Sequence, residues 1–482
     1  MDEFNSIMIE WPRGGKNVFL QLDKKDPNNI AAIEESGQKI TYGELVENTS
    51  HIRGIIPERS IVFLMCKNVI GALSAYISMV ENKIVPVTLS ESIDKELFNT
   101  LLETYRPQFI CTETKNIKEY KFKEVFEDKG FTYLGTNYEK YPINDKLELL
   151  MTTSGSTGSP KLVRYKKGNL EANAKNVAAA WGWTSNERPI CDLLINYTMG
   201  LNVINTHLYV GATLLLITSN ITEKKYWDFI KANRATNFTG VPFSYDLLWK
   251  LKFFRMDLPH LTTLSEGGGK LTDQMFIKVA KFAQENDKRF IASFGTTETS
   301  ARLSMLTPDM AIEKKGSIGK AIPEGELVLF DDDGNEIEQI EAEGELGYKG
   351  PNVTMGYAYT IEDLMLDDEF NGVYKTGDIA RRDKDGFYFI VGRKSRFLKM
   401  LGHRVSLDQC ERLIKEKFNI DCACGGTDEQ MEIYVTEMED TDKIKRFISE
   451  KTGIYSTMFK VMQVREIPRN STGKILYKKL VL

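Results

Sequence analysis

Histidine and cysteine, the side chains behind most structural metal sites and all disulfides, are sparse in this 482-residue chain, which has four of the first and six of the second. The cysteines (Cys66, Cys111, Cys191, Cys410, Cys422 and Cys424) are scattered. Their one close pair is C-x-C, without a second pair at zinc spacing, and no histidine stands beside another ligand type at such spacing. A disulfide framework and a structural zinc are both disfavoured, and free thiols fit a reducing compartment. Charge of one sign is not in excess either. The net charge of −5 carries no nucleic-acid footprint, and basic runs such as KNIKEYKFK read as solvated faces. Long apolar runs are missing too. The most apolar stretch, SIVFLMCKNVIGALSAYISMV, is broken by Lys67 and Asn68, so it reads as a buried strand (Ile61–Cys66) followed by a helix. The N-terminal MDEFNSIMIEWPRGG has acidic residues and no apolar core of signal length. No membrane span and a cytoplasmic location are expected.

A hydrophobic content of 42% with 27% charged residues describes an ordinary globular protein, and the length predicts two to four domains or subdomains. The first half alternates short β-rich runs with helical patterns: RSIVFLM, NVIGALSAYISMVEN, KIVPVTL, SIDKELFNTLLETY and PQFICTE. The same alternation returns between ATLLLITS and RFIASFG. Such alternation predicts parallel sheets with helices on their faces. After about Ser304, short strands separated by Asp-Gly, Gly-Asn and Gly turns predict an antiparallel or barrel-like unit, placed at about residues 305–392. Beyond GRKSRFLKMLGHRVS, two helical and two strand-like segments predict a small α+β C-terminal domain. The expected fold class is α/β, with doubly wound sheets and a small distorted β-barrel in an N-terminal domain (1–394) and a mobile C-terminal domain (395–482).

MTTSGSTGSPK, from Met151 to Lys161, concentrates Gly, Ser and Thr ahead of one lysine. Small residues let backbone N–H groups approach oxygens, hydroxyls add donors, and Lys161 adds charge, which together suit phosphate. A Walker A loop is ruled out by spacing: five residues after Gly155 comes Pro160, and Leu162 follows Lys161. The flanks LELLM and KLVRY both read as strand, whereas a P-loop opens a helix. Two readings stay open on this segment alone, a strand–loop–strand phosphate cradle and a flexible linker.

TSGSTGSPK resembles the signature loop of the adenylate-forming superfamily, which includes acyl-CoA synthetases, peptide-synthetase adenylation domains and luciferases. Further segments resemble the family's other motifs, in the family's order: ITYGEL (40–45), FGTTET (Phe294–Thr299), GELGYKGPNVTMGY (Gly344–Tyr357), YKTGDIARRDKDGFYFIVGR (Tyr374–Arg393) and PRNSTGKILYKKL (Pro468–Leu480). The resemblance spans nearly the whole chain and implies an AMP-forming acid–thiol ligase of the acyl-CoA synthetase kind. ATP would activate a carboxylic acid to acyl-AMP with release of pyrophosphate, and the acyl group would pass to a thiol. CoA is the simplest acceptor. The alternatives are a phosphopantetheine carrier protein supplied in trans, or a nucleotide-binding module without catalysis. A P-loop kinase or ATPase is disfavoured by the loop spacing.

The resemblance also implies roles. Thr153, Ser154, Gly155, Ser156, Thr157, Gly158 and Lys161 would hold the β- and γ-phosphates. Glu298 would ligate Mg²⁺, and Thr297 would contact the α-phosphate. Phe294, Gly295, Thr296, Gly267 and Gly268 would border the adenine side. Asp378 would accept from the ribose hydroxyls with Arg393 as a further donor. Lys474 would bridge the substrate carboxylate and the α-phosphate. Gly402 and Arg404 sit where the family faces its thiol, and Ser395 falls at the hinge, where an Asp or Lys is common. Tyr197, Thr198, Met199 and Gly240 would line the acid pocket. Amino-acid-activating relatives have an Asp where Thr198 stands, so an α-amino acid is disfavoured and a neutral acyl or aryl acid is expected.

Overall fold

The computed structural model describes residues 18–152, 161–400, 403–437, 441–469 and 475–480. Its centre is an eight-stranded mixed sheet. The strand Ile61–Cys66 is buried at every position, as its unbroken apolar run requires of a strand covered on both faces. It pairs in parallel with Val85–Ser90 and Phe109–Glu113. The apolar stretch that contains it ends as a strand at Cys66. Lys67 then binds Glu113 at 3.0 Å, Asn68 donates to the Cys191 carbonyl at 2.9 Å, and the helix Ile70–Glu81 begins. Among the described residues no helix is long and apolar enough to cross a membrane.

The strands Leu147–Thr152 and Leu162–Lys166 pair antiparallel, so the glycine-rich segment runs from strand to strand. A second, five-stranded sheet holds the parallel strands Asn237–Gly240, Thr263–Glu266 and Arg289–Phe294, extended by the antiparallel Ser304–Leu306 and Lys320–Ala321. An antiparallel sheet follows, made of Glu326–Phe330, Ala342–Lys349, Val373–Arg382 and Tyr388–Arg393. Residues 304–321 thus continue the preceding sheet, and the antiparallel unit starts at Glu326. The texture change after Ser304 reflects a switch from parallel to antiparallel pairing within one sheet.

The last part of the chain has its own core. The helices Leu407–Phe418 and Thr441–Thr452 pack on the sheet formed by Cys422–Thr427, Gln430–Val435 and Phe459–Gln463, burying Ile414, Ile433, Ile448 and Phe459. A larger N-terminal domain and a smaller C-terminal one result. All six cysteines are buried and free.

Candidate active site

The parallel strands Asn237–Gly240, Thr263–Glu266 and Arg289–Phe294 end at one edge of their sheet. Open α/β sheets place ligands at such carboxyl ends, where the chain leaves the sheet. A cavity of about 300 Å³ opens there. Gly268 and Gly269 floor it, and Tyr197, Met199, Phe294 and Thr297 stand in its walls. The floor has no room for side chains. Gly268 has φ of +73°, and a Cβ on it would lie 2.3 Å from the Tyr197 Oη. A Cβ on Gly267 would lie 2.9 Å from the Ser293 Oγ and 3.1 Å from the Met199 Sδ.

At the Thr297 end three polar groups converge. Tyr165 donates to the Thr297 carbonyl at 2.7 Å, and the Thr198 hydroxyl donates to the Thr297 hydroxyl at 3.0 Å. Next to it Glu298, 8% exposed, accepts from the Tyr357 hydroxyl at 2.7 Å. The Lys161 ammonium sits 3.9 Å above the centre of the Tyr357 ring. Burial and the nearby Glu298 carboxylate push the Tyr357 phenol upward, so it stays a donor. Lys161 and Glu298, far apart in sequence, thus share one tyrosine. Residues 153–158 and Lys474 lie outside the described residues, as does Gly402.

At the rim, Asp378 is 3% exposed and takes the Arg393 Nε at 2.8 Å; the two residues are cross-strand partners. Arg393 lines the cavity and also donates to the Thr376 carbonyl at 3.2 Å. Its main-chain N–H donates to Asp408 at 2.9 Å, at the start of the helix Leu407–Phe418. Ser395 is exposed in the short 3₁₀ turn Lys394–Arg396. Arg396 is clamped by Asp408 at 2.7 Å and by Glu411, and lies 3.7 Å from the centre of the Tyr477 ring. Arg404 belongs to the strand His403–Ser406, opposite Lys399.

Gly240 stands apart from the cavity. A Cβ there would meet the Phe238 ring at 2.7 Å and the Tyr245 ring at 3.0 Å, so its smallness serves the packing of those two aromatics. Thr198 lies in the wall, but its hydroxyl is spent on Thr297.

The charged cavity residues Glu266, Lys270, Asp273 and Arg302 have no role in the sequence reading, although Glu266 and Lys270 bound the glycines of the segment EGGGKL, which resembles the family's adenine-side glycine segment. Glu266, 5% exposed, has its carboxyl raised to about 8, by burial above all. The folded state therefore keeps a proton that the unfolded chain releases near its ordinary value of 4.5. Stability from this group is full below that value, falls as pH rises, and is lost above about pH 8. Glu266→Gln should flatten the decline of melting temperature between those two pH values. A wild-type slope that persists in the variant would assign the decline to other groups.

The family model described as "AMP-binding enzyme" matches residues 20–358. A 2-succinylbenzoate–CoA ligase of Bacillus cereus is 26% identical over 493 aligned positions, covering 96% of each chain. The corresponding ligase of Listeria monocytogenes serovar 1/2a is 26% identical over 386, covering 76% of this chain and 78% of its own. Among solved structures, o-succinylbenzoate CoA synthetase from Bacillus subtilis with its acyl-adenylate intermediate superposes with a TM-score of 0.77 at 21% identity, covering 96% of this chain and 98% of that one. ATP-bound MatB from Rhodopseudomonas palustris gives 0.78 at 21% identity, with the same coverage. These likenesses establish a shared fold.

Proposed function

Because the chain belongs to the AMP-binding enzyme family, we propose that it joins a carboxylic acid to ATP, releases pyrophosphate, and passes the acyl group from acyl-AMP to the thiol of CoA. One arrangement carries this reading. A glycine-floored cavity has Thr297, Glu298 and Lys161 at one end and the Asp378–Arg393 pair at its rim. The CoA ligases that match over most of both chains support CoA as acceptor. A cytoplasmic site of action accords with six buried free thiols.

In the first step a substrate carboxylate oxygen bonds to the α-phosphorus and the bond to pyrophosphate breaks. Positioning and charge neutralisation carry such in-line displacements. Thr297, held from both sides by Tyr165 and Thr198, would present its hydroxyl to the α-phosphate. Residues 153–158 with Lys161 would hold the outer phosphates, and Asp378 would accept from the ribose. Lys474 would bridge the two reacting anions. Among the described residues no three His, Cys, Asp or Glu side chains converge into a metal cage. That fits Mg²⁺, which takes one or two carboxylates and leaves its other positions to phosphate and water, and Glu298 would be its carboxylate. The ion, when bound, supplies charge neutralisation at the phosphates. In the second step the thiolate attacks the acyl carbon and AMP leaves with the bonding electrons.

Hydroxamate trapping across a carboxylic-acid library, with ATP–pyrophosphate exchange in parallel, tests the first step. At least one acid should give both signals, and none giving either would refute adenylation. Free CoA against carrier proteins then tests the acceptor, and thioester formed only on a carrier would replace CoA.

We further propose that the acceptor step turns the C-terminal domain about a pivot at Ser395. Ser395 is itself exposed, between Lys394, which pairs with Glu345 of the preceding sheet at 2.7 Å, and Arg396, which is held by Asp408 and Glu411 of the following helix. Proline at 395 fixes φ near −65° and restricts Lys394 before it. Ser395→Pro should keep pyrophosphate exchange and lose most acyl transfer to thiol. Wild-type rates in both half-reactions would move the pivot elsewhere.

A further inference from the structure

Arg302 is a fully enclosed cation without a counter-ion among the described residues. It is 3% exposed and lines the cavity. Its Nη1 donates to the Asn202 side chain, its Nε lies 3.4 Å from the Ser293 Oγ, and its guanidinium carbon lies 4.2 Å from the centre of the Trp181 ring. The Nη2 has no hydrogen-bond partner among the described residues. All of these neighbours are neutral. The acidic side chains of the cavity are committed elsewhere: Asp273 pairs with Lys315 at 2.8 Å, and Glu266 is kept neutral by burial. Asn202 itself is held by Asn173, whose side chain in turn donates to the Arg302 carbonyl at 2.7 Å. The guanidinium is therefore fixed by an amide, a hydroxyl and an indole, none of which cancels its charge.

A buried charge without a partner is costly to the fold. An apolar side chain beside Trp181 would fill the same space more cheaply. The missing charge must come from what enters the cavity. ATP phosphates are engaged at the Thr297 end, where Lys161 and Glu298 stand, and none of the residues holding Arg302 belongs to that group. Tyr197 and Met199 share the cavity wall with both ends. We propose that Arg302 binds a second, ionised carboxylate on the acid substrate, so that this enzyme activates dicarboxylic acids, one carboxylate reacting near Thr297 and the other lying against the guanidinium. This rests on the adenylation reading above and replaces the neutral acid expected from the sequence. Desolvation lowers the Arg302 pKa to about 9, which leaves the cation intact at neutral pH.

Matched acids test it: butanoate against succinate, pentanoate against glutarate, and benzoate against phthalate. Pyrophosphate release is measured with ATP, and acid binding without ATP by calorimetry. For the best-fitting pair, the wild type should favour the diacid in kcat/KM by about 10²-fold, the worth of one charge-assisted contact at the upper end of its range. Arg302→Met should abolish that ratio through the KM for the diacid and leave the monoacid reaction near its wild-type rate. Arg302→Lys should keep part of the preference. Should the Met variant fail to fold, the wild-type ratio and the Lys variant decide.

Monoacids adenylated with no diacid preference would overturn the carboxylate site and spare the adenylation reading. Equal losses for both acids in Arg302→Met would make Arg302 a scaffold or phosphate contact, and would overturn the site as well. Calorimetric diacid binding that disappears in Arg302→Met, with no adenylate from any acid, would uphold the site and overturn adenylation. Neither binding nor adenylate would overturn both.

Discussion

Lys474→Ala should slow acyl-AMP formation by about 10²- to 10³-fold, the usual cost of removing one donor aimed at charge that develops in a transition state. Two anions, the substrate carboxylate and the α-phosphate, approach one another in that step, and a single ammonium between them offsets their repulsion. The described chain on each side of residues 470–474 is anchored. Arg469 grips Asp421 at 2.7 Å and bridges to Ile475, and Leu476 donates to the Pro468 carbonyl at 2.8 Å. The melting temperature should hardly change, since a lysine in this Gly- and Ser-containing tail segment is a poor candidate for the core. Synthetic acyl-AMP should restore thioester formation at close to the wild-type rate. An equal loss in both half-reactions would remove Lys474 from the adenylation step.

Gly295→Ala should disable the same step by deforming the turn that presents Thr297 and Glu298. A Cβ on Gly295 would fall 1.3 Å from the Ala301 carbonyl oxygen, 2.4 Å from its carbon and 2.8 Å from the Arg302 Cα. All three are backbone atoms, so no rotamer change relieves the overlap. The turn is already tight: Ser300 and Ala301 have φ of +57° and +97°, and Ala301 donates back to the Thr296 carbonyl at 3.1 Å. Opening it shifts Glu298 from Tyr357 and Arg302 from Asn202 together. We expect destabilisation of about 2–4 kcal/mol with loss of most adenylation. Denaturant midpoints and pyrophosphate exchange on one preparation would check both, and a wild-type midpoint with wild-type exchange would show that the turn re-forms around a methyl group.

The elements legible in the sequence are those that local chemistry decides. Ile61–Cys66 is an uninterrupted apolar run, and it is a strand buried on both faces. LELLM and KLVRY flank a stretch of Gly, Ser and Thr, and they pair with each other. Of the candidate site, the motifs named residues that the structure sets side by side, Thr297 and Glu298 within one turn and Asp378 and Arg393 across a strand pair whose register the sequence did not reveal. What stayed hidden depends on distant packing. Thr198 was read for the carboxylate it lacks, yet its hydroxyl braces Thr297 across 99 residues. Arg302 follows a recognised motif by three positions, but its isolation arises only where the Trp181 helix end meets the end of the strand Arg289–Phe294. Gly240 ends a strand that points at the cavity, and the rings of Phe238 and Tyr245 alone determine that it serves packing.

Arg393 makes two contacts that fall on opposite sides of the proposed function. Its guanidinium holds Asp378, the carboxylate assigned to the ribose, while its main-chain N–H holds Asp408 in the C-terminal domain. If rotation about the proposed pivot at Ser395 releases Asp408 and shifts the Arg393 main chain, the guanidinium on Asp378 shifts with it, and nucleotide occupancy and domain orientation would then be thermodynamically linked through one residue. Whatever factor the orientation contributes to ATP affinity, bound ATP must return to the orientation equilibrium, since coupling free energy is reciprocal. Loss of pyrophosphate and formation of acyl-AMP would thereby reset the orientation without any separate signal.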